Sequence, residues 1–167
     1  MSKDESIHAS DLESVALFQP LPNTALEFLA ARLQPSRYQA GATVFSEDDD
    51  GADVYIVLEG EVEVLKRGRT GRDTRVAMLG PKDAFGEMSM IDEAPRSATV
   101  RTLGPTRLLC FSHDDFDALH QFDVKSYATI VRNVARDLAK RLRVADRLLA
   151  DFSASLQHDY VNRAKNQ

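Results

Sequence analysis

FGEMSMIDEAPRSATV, running from Phe85 to Val100, is the stretch on which the reading of the whole chain turns. It opens on Gly86-Glu87, closes on Pro95-Arg96-Ser97-Ala98 and passes directly into β-branched residues. A carboxylate and a guanidinium stand nine positions apart, with small residues beside each. Such a pair is either a solvated salt bridge on a surface turn or a socket for a molecule carrying hydroxyls and an anionic group. Arg96 offers a planar fork of donors suited to an oxyanion, which Lys could not match in geometry. Glu87, ionised, only accepts, and so suits a hydroxyl donor. Residues 87–91 read as one helical turn whose first N–H groups favour an anion. Gly86 lets backbone come close to a ligand.

Working outward, the sequence on both sides has a period of two. SRYQAGATVF (36–45), DVYIVLEGEVEVLKR (53–67), TRVAML (74–79), SATVRT (97–102) and TRLLCFS (106–112) are short runs rich in Val, Ile, Thr and Tyr. Gly, Pro and Asp clusters separate them at the spacing of an antiparallel sandwich or barrel. Gly60 marks a bend and Arg69–Asp73 a polar hairpin tip. Val62 and Val64 point to the core, while Glu61, Glu63 and Lys66 belong to a wet face.

Helical patterns flank this β region. One run from Asp11 carries Leu12, Val15, Ala16 and Phe18, and Pro20 and Pro22 end it. Asn23 or Thr24 caps a second, Ala25 to Leu33. Ser112 caps a short helix holding Phe116 and Leu119, and Asp123 precedes one of about 35 residues, roughly 50 Å long. Its positions Val124, Ala128, Val131, Ala135, Leu138, Leu142, Ala145, Leu149, Phe152 and Leu156 follow a strict 4-3 alternation. That is a heptad seam, and a second copy of the helix is its natural cover. The fold class expected is α+β, mainly β: an eight-stranded antiparallel barrel or jelly roll with N-terminal helices and a long C-terminal dimerising helix. Residues 1–11 read as a flexible N-terminus, 12–122 as the barrel domain, 123–160 as the long helix and 161–167 as a tail.

Composition narrows the function. The net charge of −5 without a Lys/Arg run argues against general affinity for nucleic acid or anionic membrane. No apolar run approaches membrane-span length and the acidic N-terminus is no signal peptide, so the chain reads as cytoplasmic. The lone Cys110 lies in an apolar run and reads as a structural thiol. His8, His113, His120 and His158 all fall outside the strands, which disfavours a metal-dependent enzyme on a similar barrel. No metal, cofactor or catalytic residue is expected. The acidic run Asp48-Asp49-Asp50 lacks the alternating ligands of a calcium loop and reads as solvated.

The residues Phe85-Gly86-Glu87-Met88-Ser89-Met90-Ile91 and Pro95-Arg96-Ser97-Ala98-Thr99-Val100 resemble the phosphate-binding cassette of cyclic nucleotide-binding domains. These are the domains of catabolite activator proteins and of the regulatory subunits of cAMP-dependent kinase. The resemblance extends from about Val15 to Leu156, through Leu17-Phe18, Tyr55-Ile56-Val57 and Gly60-Glu61-Val62. It implies a ligand site at Phe85, Gly86, Glu87, Met88, Ser89, Arg96, Ser97 and Ala98, with Glu87 on the ribose 2′-hydroxyl and Arg96 on the phosphate. Val64 and Leu79 are further candidates on the strands. On the long helix, Arg143, Asp146 or Arg147 would read the base. Ser97, where the family's cGMP binders often carry Thr, leans the ligand toward cAMP over cGMP. A cyclic dinucleotide such as cyclic di-GMP stays open. Two departures, Glu47-Asp48-Asp49 and Pro81-Lys82-Asp83, replace glycines common in the family and suggest altered loops. The function implied is a stand-alone cyclic nucleotide receptor, homodimeric through the long helix and speaking to a protein effector. The alternative is a transcription regulator fragment, since the residues after the seam are too few to read a DNA groove.

Overall fold

The computed structural model describes residues 6–165, with side chains to Ser155. It divides into two compact units, Met1–Asn133 and Val134–Gln167. The first holds eight strands: β1 Gln34–Tyr38, β2 Thr43–Phe45, β3 Val54–Glu59, β4 Val62–Arg67, β5 Asp73–Leu79, β6 Ala84–Phe85, β7 Thr99–Thr102 and β8 Thr106–Phe111. All pair antiparallel, in two four-stranded sheets ordered β1-β8-β3-β6 and β2-β7-β4-β5. This is the jelly-roll arrangement that the period-two runs predict.

Val57, Phe85 and Leu108 of the first sheet meet Val62 and Val100 of the second, forming the core between them. The central strands of the first sheet, β3 and β8, are buried on both faces. Val54, Ile56, Leu109 and Phe111 are also fully buried, and Phe111 packs edge-on against Phe18 and Phe116 of the helical layer. A strand buried on both faces loses its polar alternation, which is why Tyr55-Ile56-Val57-Leu58 is continuously apolar.

The second sheet departs from expectation at Glu63. It was read as part of a wet face, yet only 3% of it is exposed. Arg75 and Arg101 from the strands on either side cover it: Arg75 Nε donates to Oε2 at 2.7 Å and Arg101 Nε to Oε1 at 2.8 Å. Those bonds, Arg101's first, hold the Glu63 carboxyl below the usual carboxylate range. The side chain faces outward as alternation requires, but two guanidinium groups roof it.

The N-terminal helical run is two pieces, α1 Ala9–Leu12 and a 3-10 turn Ala16–Phe18. Leu12, Val15, Leu17 and Phe18 are all buried, and one helical stripe cannot bury the adjacent pair Leu17-Phe18. Helix α2, Asn23–Ala30, follows, with Pro22 at its N-cap. Helix α4, His113–Phe122, begins on a reciprocal cap: Asp115 N–H donates to Ser112 Oγ at 3.1 Å and Ser112 N–H to Asp115 Oδ2 at 3.2 Å.

Helix α5 runs from Val124 to Lys165. Within the first unit it docks through Ser126, Ile130 and Asn133, all buried. The Asn133 amide donates to the carbonyls of Leu17 and Gln19, tying α5 to the 3-10 turn. The seam residues lie on a different face: Val124, Leu142, Leu149 and Phe152 are more than half exposed.

Both loops that lost a family glycine keep a backbone that glycine favours. Asp48 has φ 71° and Lys82 φ 80°, in the left-handed region. Each loop thus makes a left-handed turn on a residue that carries a side chain.

Candidate functional site

Strand β6 is only two residues long and ends at Gly86, whose φ of 85° caps helix α3, Glu87–Asp92. Glycine is required here by space as well as by φ. A Cβ at this position would lie 2.7 Å from the Asp53 carbonyl oxygen and 2.8 Å from Arg96 Nη1. The cassette thus closes so tightly around its arginine that no side chain fits between them.

Arg96 is 4% exposed, and burial pulls its guanidinium below the usual arginine range. Nη1 donates to the carbonyls of Asp53 at 2.8 Å and Gly86 at 3.1 Å. The guanidinium carbon lies 4.3 Å from the Phe45 ring centroid. Nε and Nη2 have no acceptor among the described residues, and they face the Gly51 side, where a Cβ would approach Nη2 to 3.2 Å. Two donors are spent on backbone and a parallel fork is left. No carboxylate forms an ion pair with it among the described residues. A buried cation held only by carbonyls and a ring is complementary to an anion.

Glu87 is 4% exposed at the first turn of α3, and Phe85 and Ser89 are buried. Ser97 Oγ lies 3.6 Å from the sulfur of Met88, which is itself exposed. Ala98 follows directly, just ahead of β7. Val64 and Leu79 pack on the core cluster that contains Phe85. Arg143, Asp146 and Arg147 are exposed positions of α5 in the second unit, and the residues assembled at the cassette all come from the first.

The sequence reading missed Phe45, which stacks under Arg96 and joins Tyr55 and Phe85 in an aromatic group with centroids 5.5–6.0 Å apart. Its only signal was a Phe closing a strand just before the acidic loop. Burial pushes the Tyr55 hydroxyl up to about 12 and the half-buried Cys110 thiol up to about 11. Both therefore stay neutral at physiological pH. No group of His, Cys, Asp and Glu that could hold a metal ion exists among the described residues. No helix among them is long and apolar enough to cross a membrane.

Residues 35–123 match the family model of the cyclic nucleotide-binding domain. The chain belongs to the cyclic nucleotide-binding domain family. It is 34% identical over 141 residues to a CRP-like cAMP-activated global transcriptional regulator of Mycobacterium tuberculosis, covering 84% of this chain and 61% of that protein. It is 33% identical to the cyclic AMP receptor protein of Thermus thermophilus, covering 78% of this chain and 58% of the relative. The chain therefore spans about three fifths of the length of these relatives. The crystal structure of the Thermus thermophilus catabolite activator protein superposes with a TM-score of 0.74 at 33% identity, over 83% of this chain and 63% of that one. A cyclic nucleotide-binding domain from Methylobacillus flagellatus superposes at 0.76 with 27% identity, over 86% and 83%.

Proposed function

We propose that this cyclic nucleotide-binding domain is a cytoplasmic cAMP receptor that regulates a protein effector as a homodimer. The observation that carries the reading is Arg96: buried, paired with no carboxylate among the described residues, and with its Nε/Nη2 fork left over there. A cyclic phosphate is a delocalised monoanion whose two exocyclic oxygens suit such a fork. Glu87, nine residues earlier, supplies an acceptor for the ribose 2′-hydroxyl, and Ala98 N–H a further donor to phosphate. The names of the two bacterial relatives, both cAMP-responsive, and the Ser97 side chain favour cAMP over cGMP. The exposed apolar seam of α5 supports dimerisation, and α5 is the element through which ligand would shift a two-state equilibrium.

Calorimetric titration with cAMP, cGMP and cyclic di-GMP in parallel tests the reading. Saturable binding of cAMP, strongest of the three and lost in Arg96→Ala, is the expected result. Absence of binding by all three would overturn it.

A further inference from the structure

The ladder between β4 and β7 ends at the pair Leu65–Thr99. Ser97 and Ala98 lie just beyond it, where β4 offers them no backbone partner. A side chain takes over there. Lys66 Nζ donates to the Ser97 carbonyl at 2.5 Å and to Glu47 Oε1 at 2.7 Å. Glu47 is fixed in turn: its Oε2 accepts the Arg67 backbone N–H at 2.9 Å, and its own N–H donates to Thr99 Oγ1 at 2.9 Å. The loop after β2, the end of β4 and the residues leading into β7 thus close on one ammonium group.

That group acts on the cassette through a peptide plane. In a trans peptide the carbonyl and the next N–H point to opposite sides. Lys66 draws the Ser97 carbonyl toward itself, so the Ala98 N–H points away, and it has no acceptor among the described residues. A cation on the carbonyl also polarises the peptide and strengthens that N–H as a donor. Two residues back stands Arg96 with its spare fork.

We infer that Lys66, clamped by Glu47, is a positioning residue: it aims and strengthens the Ala98 amide as a donor to the ligand's anionic group beside Arg96. The inference rests on the proposed reading of the cassette as an anion site. It assigns a role to a half-exposed lysine near the end of β4.

The test separates aim from mere cohesion. Amide residual dipolar couplings of the unliganded parent and of Lys66→Met report the orientation of each N–H vector. The Ala98 coupling should change while those of Val62 to Val64 on β4 hold. The dissociation constant for cAMP should rise roughly five- to twentyfold, the scale of one weakened charge-assisted bond. Lys66→Arg should restore the coupling and most of the affinity, and Glu47→Gln should fall between. If Lys66→Met does not fold, Lys66→Gln takes its place. An unchanged Ala98 coupling overturns the inference, and so does a changed coupling with unchanged affinity. If the parent binds no cyclic nucleotide, the functional reading fails by itself. Titration with inorganic phosphate, followed through the Ala98 amide shift, then decides the anchor: a smaller response in Lys66→Met supports it, and an equal response overturns it.

Discussion

The guanidinium carbon of Arg96 lies over the Phe45 ring, 4.3 Å from its centroid, while Nη1 is bonded to the carbonyls of Asp53 and Gly86. The ring covers one face of the cation and the carbonyls take one edge. The remaining edge is thereby preorganised, and a ligand need not order it on binding.

From this follows the first prediction. Arg96→Ala should weaken cAMP binding by about ten- to several-hundredfold, since it removes charge-assisted bonds worth roughly 1.5–3 kcal/mol from a partly dry site. Arg96→Lys should recover only part, because a point charge replaces a fork. Phe45→Leu should cost a smaller factor, about two- to thirtyfold, through loss of a cation–π contact of roughly 0.5–2 kcal/mol. Ligand-free Arg96→Ala should melt at or above the parent temperature, because the removed cation is buried without a carboxylate. Calorimetry and thermal melts on the three variants check the set, and parent-like affinity in Arg96→Ala would defeat it.

The Glu63 cluster gives a pH prediction. Its carboxyl is held below the usual range by Arg101 and Arg75, so the folded state binds that proton less tightly than the unfolded chain does. The resulting stability is present above the ordinary carboxylate pKa and is lost as pH falls through the lower, folded value. Urea midpoints measured from pH 7 down to pH 3 should fall more steeply for the parent than for Glu63→Gln. Parallel curves would show that the cluster contributes nothing to acid sensitivity.

Lys82 is the clearest case of a residue out of place. Its φ of 80° puts an exposed lysine in a region that costs a side-chain-bearing residue about 1–2 kcal/mol. Glycine removes that cost and gives back part of it as unfolded-chain entropy. Lys82→Gly should stabilise by about 0.5–1 kcal/mol, seen as a rise of a few degrees in melting temperature. Asp48→Gly should gain less, because a short polar side chain tolerates this region better. A drop in stability for Lys82→Gly would contradict the backbone reading.

The uneven legibility of this chain has a physical basis. The cassette could be read because its distinctive residue types, Gly86, Glu87 and Arg96, stand close together in the sequence and Gly86 takes a left-handed φ. The strands could be read wherever one face is core. Strand β6 escaped because two residues carry no period. The partners of Arg96 escaped because Asp53 and Gly86 contribute carbonyls, which every residue has, so only three-dimensional placement selects them. Glu63 misled because alternation gives the direction of a side chain and not what lies over it. On α5 the 4-3 seam was evident and drew attention from Ile130 and Asn133, which serve a second face of the same helix.

That second face sharpens the last prediction. Because Ser126, Ile130 and Asn133 already anchor the start of α5 within its own chain, the seam is not needed to hold the helix there. Leu142, Leu149 and Phe152 are 61%, 64% and 62% exposed. Burying each such side chain against a second copy would contribute roughly 1.5–3 kcal/mol, more than a surface helix normally forgoes. Small residues at Ala128, Ala135 and Ala145 thin the seam, so the dimer should dissociate measurably on dilution rather than be obligate. Glutamate at both Leu142 and Leu149 would place like charges opposite one another along the seam. The double variant should sediment as a monomer at concentrations where the parent is dimeric, with unchanged β-sheet circular dichroism and an intact first unit. Should the variant keep the parent's mass, dimerisation does not use this seam, and the exposed stripe serves another contact.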